Sequence, residues 1–124
     1  MVRLIRSGEV DSALTTLDSL DRLEELLAKS ADRPLLLFKH STRCGVSAEA
    51  LDELQLHLES AGPSVAYAVV TVQTHRELSD AVSERLGIRH ETPQVILIRD
   101  RQAVWSASHF RVNAAALEQA INAS

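Results

Sequence analysis

The chain predicts an α/β fold: one central mixed β-sheet flanked by helices on both faces. Three observations predict it. Apolar runs of strand composition alternate with segments whose leucines recur at helical spacing. The alternation runs β-α-β-α-β-α-β-β-α, and strands joined through helices favour parallel neighbours. The last two strands are separated only by Asp100-Arg101, so they form a hairpin and add antiparallel strands at an edge.

Each element has a local reason. Residues 1–12 are polar and unpatterned, and are expected as an N-terminal arm on a single domain spanning 1–124. Ala13–Leu17 reads as a short strand. In the helix that follows, Leu20, Leu23, Leu26 and Leu27 share a face, and Asp18 or Ser19 can cap its start. Asp32-Arg33-Pro34 ends it, and "PLLLFKH" is a buried-strand run. From Gly45 the pattern is helical again, with Val46, Ala50, Leu51, Leu54 and Leu58 on one face until Gly62-Pro63. "SVAYAVVTV" is the next strand. "HRELSDAVSERLG" is a helix with Leu78, Val82 and Leu86 inward and Gly87 at its C-terminal cap. "QVILIRD" and "QAVWSAS" form the hairpin, with Trp105 as a packing residue, and "NAAALEQAIN" is a helix capped by Asn113.

Composition excludes several classes. A chain of 124 residues with one cysteine forms no internal disulfide, which fits a reducing compartment. Net charge is −4, with 13 basic and 17 acidic residues interspersed and 3% aromatics, so nucleic-acid binding lacks a footprint. No apolar run is long enough for a membrane span, and no signal peptide is evident. The expected location is the cytoplasm. The five histidines show no HExxH or paired Cys/His spacing, so no metal site is expected.

The single cysteine, Cys44, falls where the second strand hands over to the second helix. Open α/β sheets place their sites at the carboxyl ends of strands, and unpaired N–H groups at a helix start can solvate a negative sulfur. Lys39 and Arg43 are close in sequence and add positive potential. A free cysteine is also a common core filler, but "KHSTRC" is a poor core sequence, which favours a reactive thiol. Downstream, "HETPQVILI" puts Pro93 just ahead of a strand. A trans proline at a strand's start is the simple reading. In the thioredoxin fold, whose layout this chain resembles, a cis-proline at this place abuts the active thiol, and the residue before it, here Thr92, offers its backbone to the substrate. His40 could act as a proton donor to Cys44, or be a solvated turn residue. Glu49, Asp52 and Glu53 read as a solvated helix face.

A wider set of residues carries a family resemblance: Lys39-His40-Ser41-Thr42, Cys44 with Ser47, Val72-Gln73, Gly87, His90-Glu91-Thr92-Pro93-Gln94, Trp105 and Ser108-His109. Over about 13–122, the chain resembles the monothiol bacilliredoxins, thioredoxin-like proteins of bacillithiol-using bacteria. The resemblance implies a thiol–disulfide oxidoreductase that removes bacillithiol from protein mixed disulfides, with Cys44 as nucleophile. Lys39, His40, Arg43, Ser47, Thr92, Pro93 and His109 are then expected around the substrate. Cations at Lys39 and Arg43 would meet bacillithiol's malate carboxylates. Ser47 stands where two-cysteine redoxins keep a resolving thiol, so Ser47→Ala is expected to leave turnover largely unchanged. No bound cofactor is implied; bacillithiol is a co-substrate, bacillithiolated proteins are the substrates, and bacillithiol or another redoxin regenerates the thiol. The family's Cys-Pro-x-Ser is here Cys44-Gly45-Val46-Ser47, similar to the Cys-Gly-Phe-Ser of monothiol glutaredoxins. That keeps open a 2Fe-2S carrier in which Cys44 of two protomers and two small thiols hold the cluster. A redox-inactive binding module of the same fold is the third reading.

Overall fold

The computed structural model describes residues 14–123, so the expected arm at 1–12 lies outside the described residues. The elements are β1 (Leu14–Thr16), α1 (Leu20–Lys29), β2 (Leu35–His40), α2 (Gly45–Leu58), β3 (Ala66–Thr71), α3 (Arg76–Leu86), β4 (Gln94–Arg99), β5 (Gln102–Ser108), a 3-10 turn (His109–Arg111) and α4 (Ala114–Ala123). The strands form one sheet in the order β1-β3-β2-β4-β5. β1, β3 and β2 are parallel, while β4 and β5 run antiparallel to their neighbours. The expected mixed sheet is present.

β2 is central and buried on both faces, so it needs an unbroken apolar run rather than an alternating one. Leu36 and Phe38 pack with Ala50, Leu54 and Leu58 of α2 and Leu117 of α4. Leu35 and Leu37 face the other way, toward Leu23, Leu26 and Leu27 of α1 and Leu78 and Val82 of α3. Each fully buried leucine contributes about 1.5–3 kcal/mol. Leu20 departs from the expected inward face: it is 50% exposed at the first position of α1, ahead of the turn where that helix meets the sheet. Trp105 packs half-buried against the α2-side core.

The helix ends are as the local chemistry requires. Ser19 accepts from Arg22 N–H at the start of α1, and Asn113 Oδ1 accepts from Ala116 N–H at the start of α4. Gly87 ends α3 with φ 63°, the left-handed conformation that glycine adopts without a Cβ penalty. At the hairpin, Asp100 and Arg101 both take positive φ (49° and 65°), as a two-residue connection between right-twisted strands demands. Ser30 stabilises this turn, its carbonyl and hydroxyl accepting from Asp100 and Arg101 N–H.

Candidate active site at the carboxyl end of β2

Three segments meet at one end of the sheet. The first is the turn between β2 and α2. Cys44 is the N-cap of α2, extended at φ −122° and ψ 122°, and its side chain makes no cap hydrogen bond. It is partly exposed. A polar clamp holds the turn that carries it. Ser47 Oγ accepts from Ser41 N–H at 2.9 Å and lies 2.8 Å from His40 Nδ1. A hydroxyl oxygen accepts up to two hydrogen bonds and donates one, so this contact forms with either neutral tautomer of His40. Burial lowers the His40 pKa below its ordinary value, which favours the neutral imidazole. From the loop after β3, Gln73 Oε1 accepts from Thr42 N–H at 3.2 Å and Gln73 Nε2 donates to Ser41 Oγ at 2.6 Å.

The second segment runs from Arg89 to Pro93, ahead of β4. Lys39 of β2 pairs with Gln94 of β4, so Pro93 stands one step further, across from His40. The Thr92–Pro93 peptide bond is cis. Gln94, buried, braces the segment: its Nε2 donates to Arg89 carbonyl at 3.0 Å, and its Oε1 accepts from Glu91 N–H at 3.4 Å. The third segment is the 3-10 turn. His109, at φ 55°, donates its N–H to the Pro93 carbonyl at 3.0 Å. Its exposed neighbour Phe110 lines a groove with Val46, Glu49, Asp52 and Glu53. Glu53 is more than a solvated charge, since its Oε1 accepts from Ala114 N–H at 3.0 Å and helps start α4.

Of the residues expected around the substrate, His40, Arg43, Thr92, Pro93 and His109 sit on these three segments. Two expectations need correction. Lys39 does not join His40 on the α2 side, because adjacent residues of a strand point to opposite faces. Its side chain is wholly buried on the α3 side, with Nζ donating to Ser83 Oγ and, at 3.0 Å, to His90 Nδ1. Burial pushes its pKa down to about 8. Ser47 is also fully buried, with its hydroxyl engaged by Ser41 and His40, so it braces the turn rather than lying exposed beside Cys44. The bracing roles of Gln73, Ser83 and Gln94 were not read from the sequence. The signals available were Gln94, a polar residue opening an otherwise apolar strand run, and the place of Gln73 and Gln94 in the family resemblance. Among the described residues, no group of three or more His, Cys, Asp or Glu could hold a metal ion.

A thioredoxin-type sheet with one cysteine at the start of its second helix and a cis-proline loop at the same end of the sheet defines a thiol oxidoreductase. Residues 15–117 match the family described as monothiol bacilliredoxin BrxC, and the chain belongs to that family. Among solved structures it is similar to a chain described as an oxidoreductase with a thioredoxin fold, at 28% identity and TM-score 0.79 over 88% of this chain and 94% of that one. The fold is also shared with thioredoxin of Fasciola hepatica (20% identity, TM-score 0.72, 88% and 97% covered). Mitochondrial thioredoxin 3 of Saccharomyces cerevisiae shares it too (18%, 0.70, 91% and 97%). No helix among the described residues is long and apolar enough to cross a membrane.

Proposed function

We propose that this chain, as one thioredoxin-like domain in the cytoplasm, removes bacillithiol from protein mixed disulfides through Cys44. The Cys44 thiolate attacks the bacillithiol sulfur. The S–S bond to the client protein breaks, the client cysteine leaves as a thiolate and takes a proton from solvent, and bacillithiol stays on Cys44. A second bacillithiol thiolate, or the thiolate of another redoxin, then attacks the bacillithiol sulfur. It restores Cys44 and carries bacillithiol away in a new disulfide. Both steps are thiol–disulfide exchanges, and the second thiol is the reductant: it ends oxidised in the new disulfide while the client cysteine ends reduced.

One observation carries the reading: the sole cysteine of a monothiol bacilliredoxin family member stands, partly exposed, at the N-cap of α2. The first-turn N–H groups of α2 can solvate the attacking or leaving sulfur. Ring closure within the chain is impossible without a second cysteine, so the small thiol must be removed by a separate molecule. Thr92 and Pro93 would lie along the disulfide, with His109 beside them. Arg43, exposed in the turn, would meet a malate carboxylate, an exposed contact worth about 0.2–1 kcal/mol and weakened by salt.

Intact mass spectrometry tests this on the reduced full chain. Oxidised bacillithiol is expected to add one bacillithiol per chain, and excess reduced bacillithiol to remove it. Cys44→Ser is expected to do neither while keeping its fold. A thiol inert to the disulfide, in a protein that gains visible absorbance after iron–sulfur reconstitution, would replace this reading with the cluster carrier. An inert, colourless protein would overturn both.

A further inference from the structure

Lys39 is an expensive residue in its position. Its side chain has no solvent exposure, and Nζ has a hydroxyl and an imidazole as partners. A buried ammonium with neutral partners weakens a fold relative to an apolar side chain of similar shape. Leu35 and Leu37 fill the same face of β2 further in, so Lys39 stands at the polar end of an otherwise apolar row.

The contacts of Lys39 lead in one direction. An ammonium has only hydrogens to donate, so His90 Nδ1 must accept from Nζ. The neutral ring then carries its proton on Nε2, which lies 3.1 Å from Thr92 Oγ1. Nε2 donates, Thr92 Oγ1 accepts, and the Thr92 hydroxyl hydrogen is left free for a different acceptor. Gln94, across from Lys39 in the β2–β4 register, holds the backbone of the same segment through Arg89 and Glu91. We infer that Lys39 is a positioning residue: through His90 it sets the Thr92 hydroxyl as a hydrogen-bond donor offered to an oxygen acceptor of the disulfide substrate. This rests on the reading of Thr92 as a substrate-contacting residue given above.

A pH response follows. A neutral Lys39 amine can accept as well as donate, so the restriction on the His90 tautomer lifts when Lys39 loses its proton, near pH 8. The charged groups acting on this pair are Asp80 of α3, which favours a charged Lys39, and Arg76 of α3 with Glu91, which oppose and favour a charge on His90. Burial and Lys39 hold His90 neutral.

The test has two readouts on the full chain. Nitrogen-15 NMR of the His90 ring at pH 7 is expected to show the Nε2–H tautomer in the wild type and a mixture in Lys39→Met. An Nδ1–H ring in the wild type overturns the inference whatever the activity. With a bacillithiol mixed disulfide of a single-cysteine test protein, Thr92→Val and Lys39→Met are each expected to raise KM about threefold to tenfold, the worth of one neutral hydrogen bond, at unchanged kcat. The double variant is expected to be no worse than either single one, because both remove one chain of contacts. Lys39→Arg is expected to restore part of the loss, and the wild-type KM to rise above pH 8 where that of Thr92→Val stays flat. Additive losses, or a fall in kcat and melting temperature with KM unmoved, would mean that Lys39 only supports the fold. Should Lys39→Met fail to fold, the NMR tautomer and Thr92→Val still decide the matter. Wild-type protein inert toward the mixed disulfide would sink the proposed function, while the NMR result would still judge the Lys39–His90–Thr92 chain.

Discussion

Ser47→Ala removes one oxygen atom from a site with no solvent exposure, and the structure allows its cost to be sized. The Ser41 N–H loses its 2.9 Å acceptor and His40 Nδ1 its 2.8 Å hydrogen-bond partner. A polar group left unpaired by such a deletion costs about 1–3 kcal/mol. Both Ser41 and His40 are only half-buried, so water can re-pair part of what is lost, and the total should be about 2 kcal/mol. For a domain of this size that lowers the melting temperature by roughly 8 °C. The exchange chemistry at Cys44 has no step that uses Ser47, but the clamp fixes the turn that presents the thiol. Circular-dichroism melts should therefore show the drop, and iodoacetamide should alkylate Cys44 at a changed rate in the folded variant. A variant that melts within about 1 °C of the wild type would refute the argument that this hydroxyl braces the turn.

Two further outcomes are expected. Gly45→Pro should be tolerated and stabilising by about 0.4–1 kcal/mol, seen as a rise in urea midpoint: the first helical position needs no N–H, a Cβ there would meet nothing within 4 Å, and Cys44 is already extended as a residue before proline must be. A lower midpoint would show strain at the cap. Stability should also rise with pH in two windows. Burial lowers the pKa of His40, His57 and His90 below 6.5. As pH falls below 6.5 the unfolded chain binds protons that the folded one refuses, and stability is lost. Lys39 titrates at about 8 when folded against 10.5 ordinarily, so the unfolded chain again holds the extra proton and stability grows from pH 8 toward 10. Urea midpoints that are flat or falling across both windows would contradict these assignments.

Much of this protein was legible locally. Alternating strand and helix periods, the Ser19 and Asn113 caps, Gly87 at the end of α3 and the two-residue hairpin each depend on neighbours a few positions away, and each stands in the structure. So does Cys44 at the start of α2, because a strand that breaks into a polar turn before a helical pattern leaves few other places for it. What tertiary structure alone decided is the company each polar side chain keeps. Lys39 and His40 are adjacent in sequence, yet the crossovers place α3 over one and α2 over the other. One became a buried ammonium against Ser83 and His90, and the other a partner of Ser47. Ser47 reads as an ordinary first-turn serine until the turn folds back onto it, and Gln73 clamps that turn from the loop after β3. A hydrogen bond needs its two atoms within about 3 Å; residues far apart in the chain reach that distance only once the sheet order and register have brought their strand ends together.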